Sequence, residues 1–180
     1  MKEYILEVKK VISHPFCKKI INCFDHSYND AGTVGGVNKN VRNCVTRSVM
    51  NPETFGERIC SNFIQEKIFN CVEHYQQKHK VKSEKISQLD LLKYETNDSD
   101  AGYVFHTDFG LKVSERQLSI SICLNNQYEG GEFVFETPEG PHTIPQNEGD
   151  AVIFPSNFMF SHQVNKVTAG TRYALIGWVI

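Results

Sequence analysis

The chain has 180 residues, 40% of them hydrophobic and 22% charged, with a formal net charge of −2. The length suits one domain spanning 1–180, and the near-neutral charge argues against a nucleic-acid partner, which would need a basic surface. Glu3, Glu7, Lys9 and Lys10 interrupt the N-terminus where a signal peptide would be apolar. No stretch approaches the roughly 20 apolar residues of a membrane span, so no membrane partner and a cytoplasmic location are expected.

The six cysteines, Cys17, Cys23, Cys44, Cys60, Cys71 and Cys123, include no C-x-x-C pair. They read as reduced, mostly buried thiols rather than a zinc knuckle or a disulfide framework.

In chain order, residues 4–12 alternate apolar and polar and predict an edge strand. Ser13 is an N-cap candidate with Pro15 in the first turn, and Phe16, Ile20, Cys23 and Phe24 recur at helical spacing. The Gly- and Asn-rich stretch over 29–38 reads as a loop, and residues 30–43 as a candidate lid over a substrate. A second helix is predicted over about 52–79, with Phe55, Ile59, Phe63, Ile68, Val72 and Tyr75 on its apolar side. Lys78, Lys80, Lys82 and Lys85 read as a solvated helix end and loop.

The second half reads as strands. Leu89, Leu91 and Leu92 lead into Tyr94, followed by a polar turn over 97–102. Residues 117–124 place Leu118, Ile120, Ile122 and Leu124 on one face and Ser119, Ser121 and Cys123 on the other. Short strands over 132–136, 142–144, 151–154, 162–164 and 172–180 are separated by Gly- and Pro-containing turns, among them Gly130-Gly131. The fold class expected is α+β: a double-stranded β-helix, or jelly-roll barrel, over 86–180 with a mainly helical buttress over 1–85.

The residues that point to chemistry are His106, Asp108 and His162. Two residues apart on a strand, His106 and Asp108 share a face, and His162 can approach from a neighbouring strand. Two histidines and a carboxylate on one face of an octahedral ion form the facial triad of non-haem Fe(II) oxygenases, with positions left open for other ligands. A lone His-x-Asp has a plain alternative as ordinary surface or core residues. The same donors also suit zinc, although no motif places a general base for a zinc hydrolase.

Arg172 shares its strand parity with Ala174, Ile176 and Trp178. If that face lines the barrel, a buried guanidinium there requires an anion. Its planar fork fits a carboxylate; an internal bridge to a glutamate is the structural alternative.

At this point the sequence resembles a family. The segments LLKYETNDSDAGYVFHTD, RQLSISICLNNQYEGGEFVFE and EGDAVIFPSNFMFSHQVNKVTAGTRYALIGWV are similar to those of Fe(II)/2-oxoglutarate-dependent dioxygenases of the prolyl 4-hydroxylase type. Bacterial PKHD-type hydroxylases are particularly similar from Val167 to Arg172. The resemblance implies Fe(II) held by His106, Asp108 and His162, with 2-oxoglutarate as cosubstrate and its distal carboxylate on Arg172. It implies O2 consumption, release of succinate and CO2, stimulation by ascorbate, and hydroxylation of a prolyl residue in a peptide or protein. Some relatives carry a tyrosine where Cys123 stands, so Tyr94 or Tyr103 is expected to assist Arg172, with Cys123 and Trp178 beside the cosubstrate. Arg116 corresponds to an arginine near the substrate channel. The alternatives are hydroxylation of a free amino acid or other small molecule, a nucleic-acid demethylating oxygenase, and a non-catalytic jelly-roll binding protein.

Overall fold

The computed structural model describes residues 1–33, 36–96, 101–110 and 113–180. The polar turn expected over 97–102 therefore lies mostly outside the described residues, as does part of the candidate lid.

A short 3-10 turn precedes β1 (Leu6–Val8) and α1 (His14–Phe24); β2 (Asn29–Asp30), β3 (Arg42–Asn43) and β4 (Val45–Ser48) follow. Then come α2 (Phe55–His79), β5 (Ile86–Glu95), β6 (Gly102–His106), β7 (Leu118–Cys123), β8 (Tyr128–Gly130) and β9 (Phe133–Phe135). The last elements are β10 (His142–Ile144), β11 (Ala151–Pro155), β12 (His162–Val164) and β13 (Val167–Val179). A larger sheet runs β1-β11-β7-β13-β5-β4-β2, with β8 also paired to β13, and a smaller one runs β10-β9-β12-β6-β3. Every registered pair is antiparallel. The two sheets form the jelly-roll barrel that the strand pattern predicts.

Two cores explain the strand patterns. One packs α1 and α2 on the outer face of the larger sheet and holds Ile20, Ile64, Ile68, Leu89, Leu91, Ile120, Ile122 and Leu175. The other lies between the sheets and holds Leu92, Tyr94, Phe133, Phe135, Phe154, Ile176 and Trp178. Every residue of β7 is buried, yet its two faces differ in kind. The leucine–isoleucine face meets the helices, and the serine–cysteine face turns into the barrel. Alternation here separates an oily core from a polar interior rather than core from solvent.

Several expectations shift. The first half is not only helical: β2, β3 and β4 continue the two sheets. Their two to four residues are too short for a periodic signal to register. Helix α2 begins at Phe55 rather than 52 because Thr54 and Glu57 form a reciprocal capping box. Its buried stripe runs through Cys60, Ile64, Ile68, Cys71 and Tyr75, while Phe55 is 78% and Ile59 44% exposed. Cysteine is apolar enough to take the core face, and that displaces the face expected from the aromatics. Ser13 caps α1 in position only: its side chain makes no cap bond, and its carbonyl accepts from Phe16 and Cys17. The expected edge strand near the N-terminus is β1, against β11. Lys78, Lys80, Lys82 and Lys85 are exposed, and all six cysteines are free thiols. Among the described residues no helix is long and apolar enough to cross a membrane.

One turn ties the helical layer to the barrel. Gly149 donates to Cys123 O and accepts from Ile12 N, with φ at +84° and room for a Cβ blocked by Ile12 O at 2.0 Å. Gly149→Ala is therefore expected to lower unfolding free energy by about 2–3 kcal/mol, since both the backbone angle and the contact must give. A urea melt measures the loss.

Candidate active site

His106 ends β6, and His162 opens β12 directly opposite it in the register. Asp108 does not share the strand, contrary to the expectation: β6 stops at His106. The chain bends after it and brings the carboxylate back beneath the two rings. Asp108 Oδ1 lies 3.8 Å from His106 Nε2, and Oδ2 lies 3.7 Å from His162 Nε2. These are longer than hydrogen bonds, and one donor atom from each residue lies within 4.8 Å of the others.

The imidazole tautomers follow from the backbone. His106 Nδ1 is 2.9 Å from Val104 O, and His162 Nδ1 is 2.9 Å from Phe160 O. A carbonyl only accepts, so each Nδ1 carries the proton and each Nε2 presents a lone pair toward Asp108. Burial, aided by the neighbouring His162, pushes His106 down to about 3, so its ring is neutral across the physiological range. Burial alone would raise Asp108, but the two histidines and Ser119 hold it below the ordinary carboxylate range. Ring contacts fix the orientations: Tyr103 stacks on His106 at 3.4 Å, and Phe133 and Phe154 contact His162 at 5.1 and 4.8 Å.

Ser119 is a contributor that the sequence placed on the right face without assigning a role. Its hydroxyl donates to Asp108 Oδ2 at 2.6 Å and pairs with Ser156 at 2.8 Å. Ser119→Ala is expected to weaken Fe(II) or Mn(II) binding about 10- to 100-fold, the usual cost of losing a group that orients a ligand. Metal titration monitored by calorimetry tests it.

Arg172 faces a cavity of about 330 Å³ together with Ala174, Ile176 and Trp178, and the three triad residues line the same space. It is 2% exposed, its Nε has no hydrogen-bond partner, and among the described residues no carboxylate pairs with it. The glutamate-bridge alternative thus finds no support. Tyr94 and Tyr128 flank the guanidinium, with ring centroids 5.3 and 6.0 Å away. Burial works against the charge of Arg172, but Tyr128, Tyr94 and Cys123 hold it above the usual guanidinium range.

Tyr128 was missed by the sequence reading. Its hydroxyl lies 3.5 Å from Cys123 Sγ, so a tyrosine OH lies near the guanidinium by a different route from the one expected. Cys123 itself donates to Asn125 O. Tyr103 stacks on the His106 ring. Trp178 sits at the triad end, under the Arg116 guanidinium at 3.8 Å. Arg116 lines the cavity and donates to Gln88 at 2.8 Å. The segment expected as a lid supplies Gly32, Thr33 and Arg42 to the wall. Val34 and Gly35 lie outside the described residues.

The model of the 2OG-Fe(II) oxygenase superfamily matches residues 89–180. The chain belongs to this superfamily. It is 40% identical over 87 residues to a PKHD-type hydroxylase of Psychrobacter sp., covering 43% of this chain and 33% of that one. A PKHD-type hydroxylase of Idiomarina loihiensis is 27% identical over 180 residues, covering 97% of this chain and 77% of that one. The matched segment thus spans only about a third of the Psychrobacter relative. Among solved structures, a Trichoplax adhaerens prolyl hydroxylase in complex with a hypoxia inducible factor peptide fragment superposes with TM-score 0.78 at 14% identity, covering 98% of this chain and 83% of that one. A Pseudomonas putida prolyl-4-hydroxylase gives TM-score 0.75 at 17% identity, covering 98% and 92%. These likenesses establish the fold.

This oxygenase-superfamily site fits both groups that the family name implies. Three converging donors of nitrogen and oxygen type suit Fe(II), and a buried arginine with no carboxylate partner among the described residues suits a dicarboxylate.

Proposed function

We propose that the protein is an Fe(II)- and 2-oxoglutarate-dependent dioxygenase that hydroxylates a prolyl residue in a peptide or protein. The observation that carries the oxygenase reading is the shared cavity, with the His106–Asp108–His162 cluster and a buried Arg172 that has no carboxylate partner among the described residues facing one space. The prolyl reading is supported by the PKHD-type relatives and by the prolyl hydroxylase neighbours.

Bound iron and 2-oxoglutarate would supply the O2 chemistry, in which cosubstrate becomes succinate and CO2 and a substrate C–H bond becomes C–OH. The chain's part is placement. His106, Asp108 and His162 would hold the metal, with both imidazoles tied by their Nδ1 protons and the carboxylate held by Ser119. Arg172 would receive the distal carboxylate of the cosubstrate between Tyr94 and Tyr128. Apolar Ile176, Leu92 and Phe133 exclude water around the reacting groups. Arg116, which lines the cavity and is braced by Trp178 and Gln88, would meet the incoming substrate.

The test loads the protein with iron without oxygen, adds 2-oxoglutarate and O2, and measures succinate with and without proline-containing peptides, with ascorbate as a variable. Peptide-stimulated succinate and a peptide mass gain of one oxygen atom are expected. Slow succinate that only a free amino acid or small molecule stimulates would replace the prolyl substrate. Binding of iron and 2-oxoglutarate with no succinate at all would leave a non-catalytic barrel.

A further inference from the structure

Among the described residues, the cavity lining carries more positive than negative charge. Arg42, Arg116 and Arg172 line it, with Asp108 as the carboxylate on its wall. Asp90, buried behind the wall, acts on Arg42 and Arg116. Fe(II) and the 2-oxoglutarate dianion carry equal and opposite charge, so their arrival leaves this balance unchanged. Among the described residues the site retains a surplus cation, and burying one without an anion is costly.

The three guanidinium groups are not equally engaged. Arg172 faces the cosubstrate position. Arg116 is committed to the Trp178 face and the Gln88 carbonyl oxygen. Arg42 donates through Nη1 to Gly32 O at 3.1 Å, and its Nε is buried without a partner. It lies over the Tyr103 ring at 4.9 Å, and that ring stacks on His106. Arg42 is thus one aromatic ring away from a triad residue. It also lies outside the segment matched by the family model, 89–180.

A second cavity, of about 380 Å³, adjoins the first. It shares Tyr103 and Val164 with the first and is lined by residues of β6 and β12 and by residues 39–41 ahead of β3. Lys39 borders it. Lys39 pairs with exposed Asp30, a surface bridge that an incoming carboxylate can replace at little cost. A second groove beside the first suits an extended chain better than a compact molecule.

We infer that the substrate is an acidic peptide, with a carboxylate close to the hydroxylated residue held by Arg42 and its flank lying in the groove beyond Tyr103. This rests on the oxygenase reading above and names its substrate class. A guanidinium fork binds a carboxylate through two parallel hydrogen bonds, and the arginine-lined cavity favours encounter with an anionic chain.

The test measures binding separately from turnover. Labelled proline peptides that differ in one residue beside the proline, Asp, Asn or Lys, are titrated by fluorescence anisotropy. The protein is loaded with iron and 2-oxoglutarate under anaerobic conditions. Wild type should bind the Asp peptide at least about tenfold more tightly than the Asn peptide, with the Lys peptide weaker still. Arg42→Gln should bring Asp and Asn peptides within about twofold, and Arg42→Glu should reverse the order toward Lys. Equal binding of Asp and Asn peptides by wild type overturns the proposal, and does so without any variant needing to fold. A preference that survives intact in folded Arg42→Gln removes Arg42 from it. A parallel arm compares free proline with prolinamide: carboxylate preference there, with no charge effect among peptides, overturns the peptide assignment in favour of a free acid. Failure of the oxygenase reading has a separate sign, the absence of oxygen incorporation into any ligand that binds.

Discussion

Replacing His106 or Asp108 by alanine should abolish peptide-stimulated succinate formation, by at least about a thousandfold, while the chain stays folded. Removing a group that acts as part of a unit costs nearly the whole activity, and neither side chain builds the fold. His106 sits at the end of β6, whose pairing to β12 and β3 is through backbone. Asp108 lies beyond the strand, and its carboxylate accepts from Ser119 at close range. Its loss removes a buried negative charge, and Ser119 keeps Ser156 as a partner. Without metal, the variants should therefore melt within a few degrees of wild type, about 1 kcal/mol either way. Metal titration should show the defect directly. Full turnover by a purified, folded Asp108→Ala protein would remove Asp108 from the site.

The expected constellation and the observed one agree where a single strand governs the geometry. Arg172, Ala174, Ile176 and Trp178 follow strict parity on a long strand, and all four line the cavity. Ser119, Ser121 and Cys123 follow it on β7, and the first of these turns out to hold Asp108. The reading fails where the chain leaves regular structure. Asp108 reaches its partners by a bend, not by strand parity. Tyr128 approaches Arg172 from a three-residue strand that no periodicity can announce. Arg42 comes from a two-residue strand in a stretch that reads as loop. Long-range register places each of these groups, and register is set by tertiary packing that local spacing does not encode.

Arg172→Ala should raise the 2-oxoglutarate concentration needed for half-maximal succinate formation about 100-fold, and Arg172→Lys about tenfold. Loss of a buried charge-assisted contact costs a few kcal/mol. Lysine restores the charge but not the two-pronged geometry. A thermal-shift measurement separates this role from a structural one. Free of ligand, the wild-type protein bears the cost of a guanidinium that is 2% exposed and has no carboxylate partner among the described residues, so the alanine variant should melt no lower unless the space it leaves dominates. Saturating 2-oxoglutarate should stabilise wild type in proportion to its affinity and leave Arg172→Ala unmoved at the same concentration. Gly131 offers an independent lever. Its φ is +67°, and a Cβ there would meet Arg172 Cδ at 2.9 Å and Val167 Cγ2 at 3.0 Å. Gly131→Ala should therefore displace the arginine stem and raise the cosubstrate requirement in the same direction, by less than Arg172→Ala, while iron binding stays as in wild type. An unchanged requirement in both variants would place the dicarboxylate elsewhere in the cavity, with Arg42 and Arg116 the guanidinium groups left to receive it.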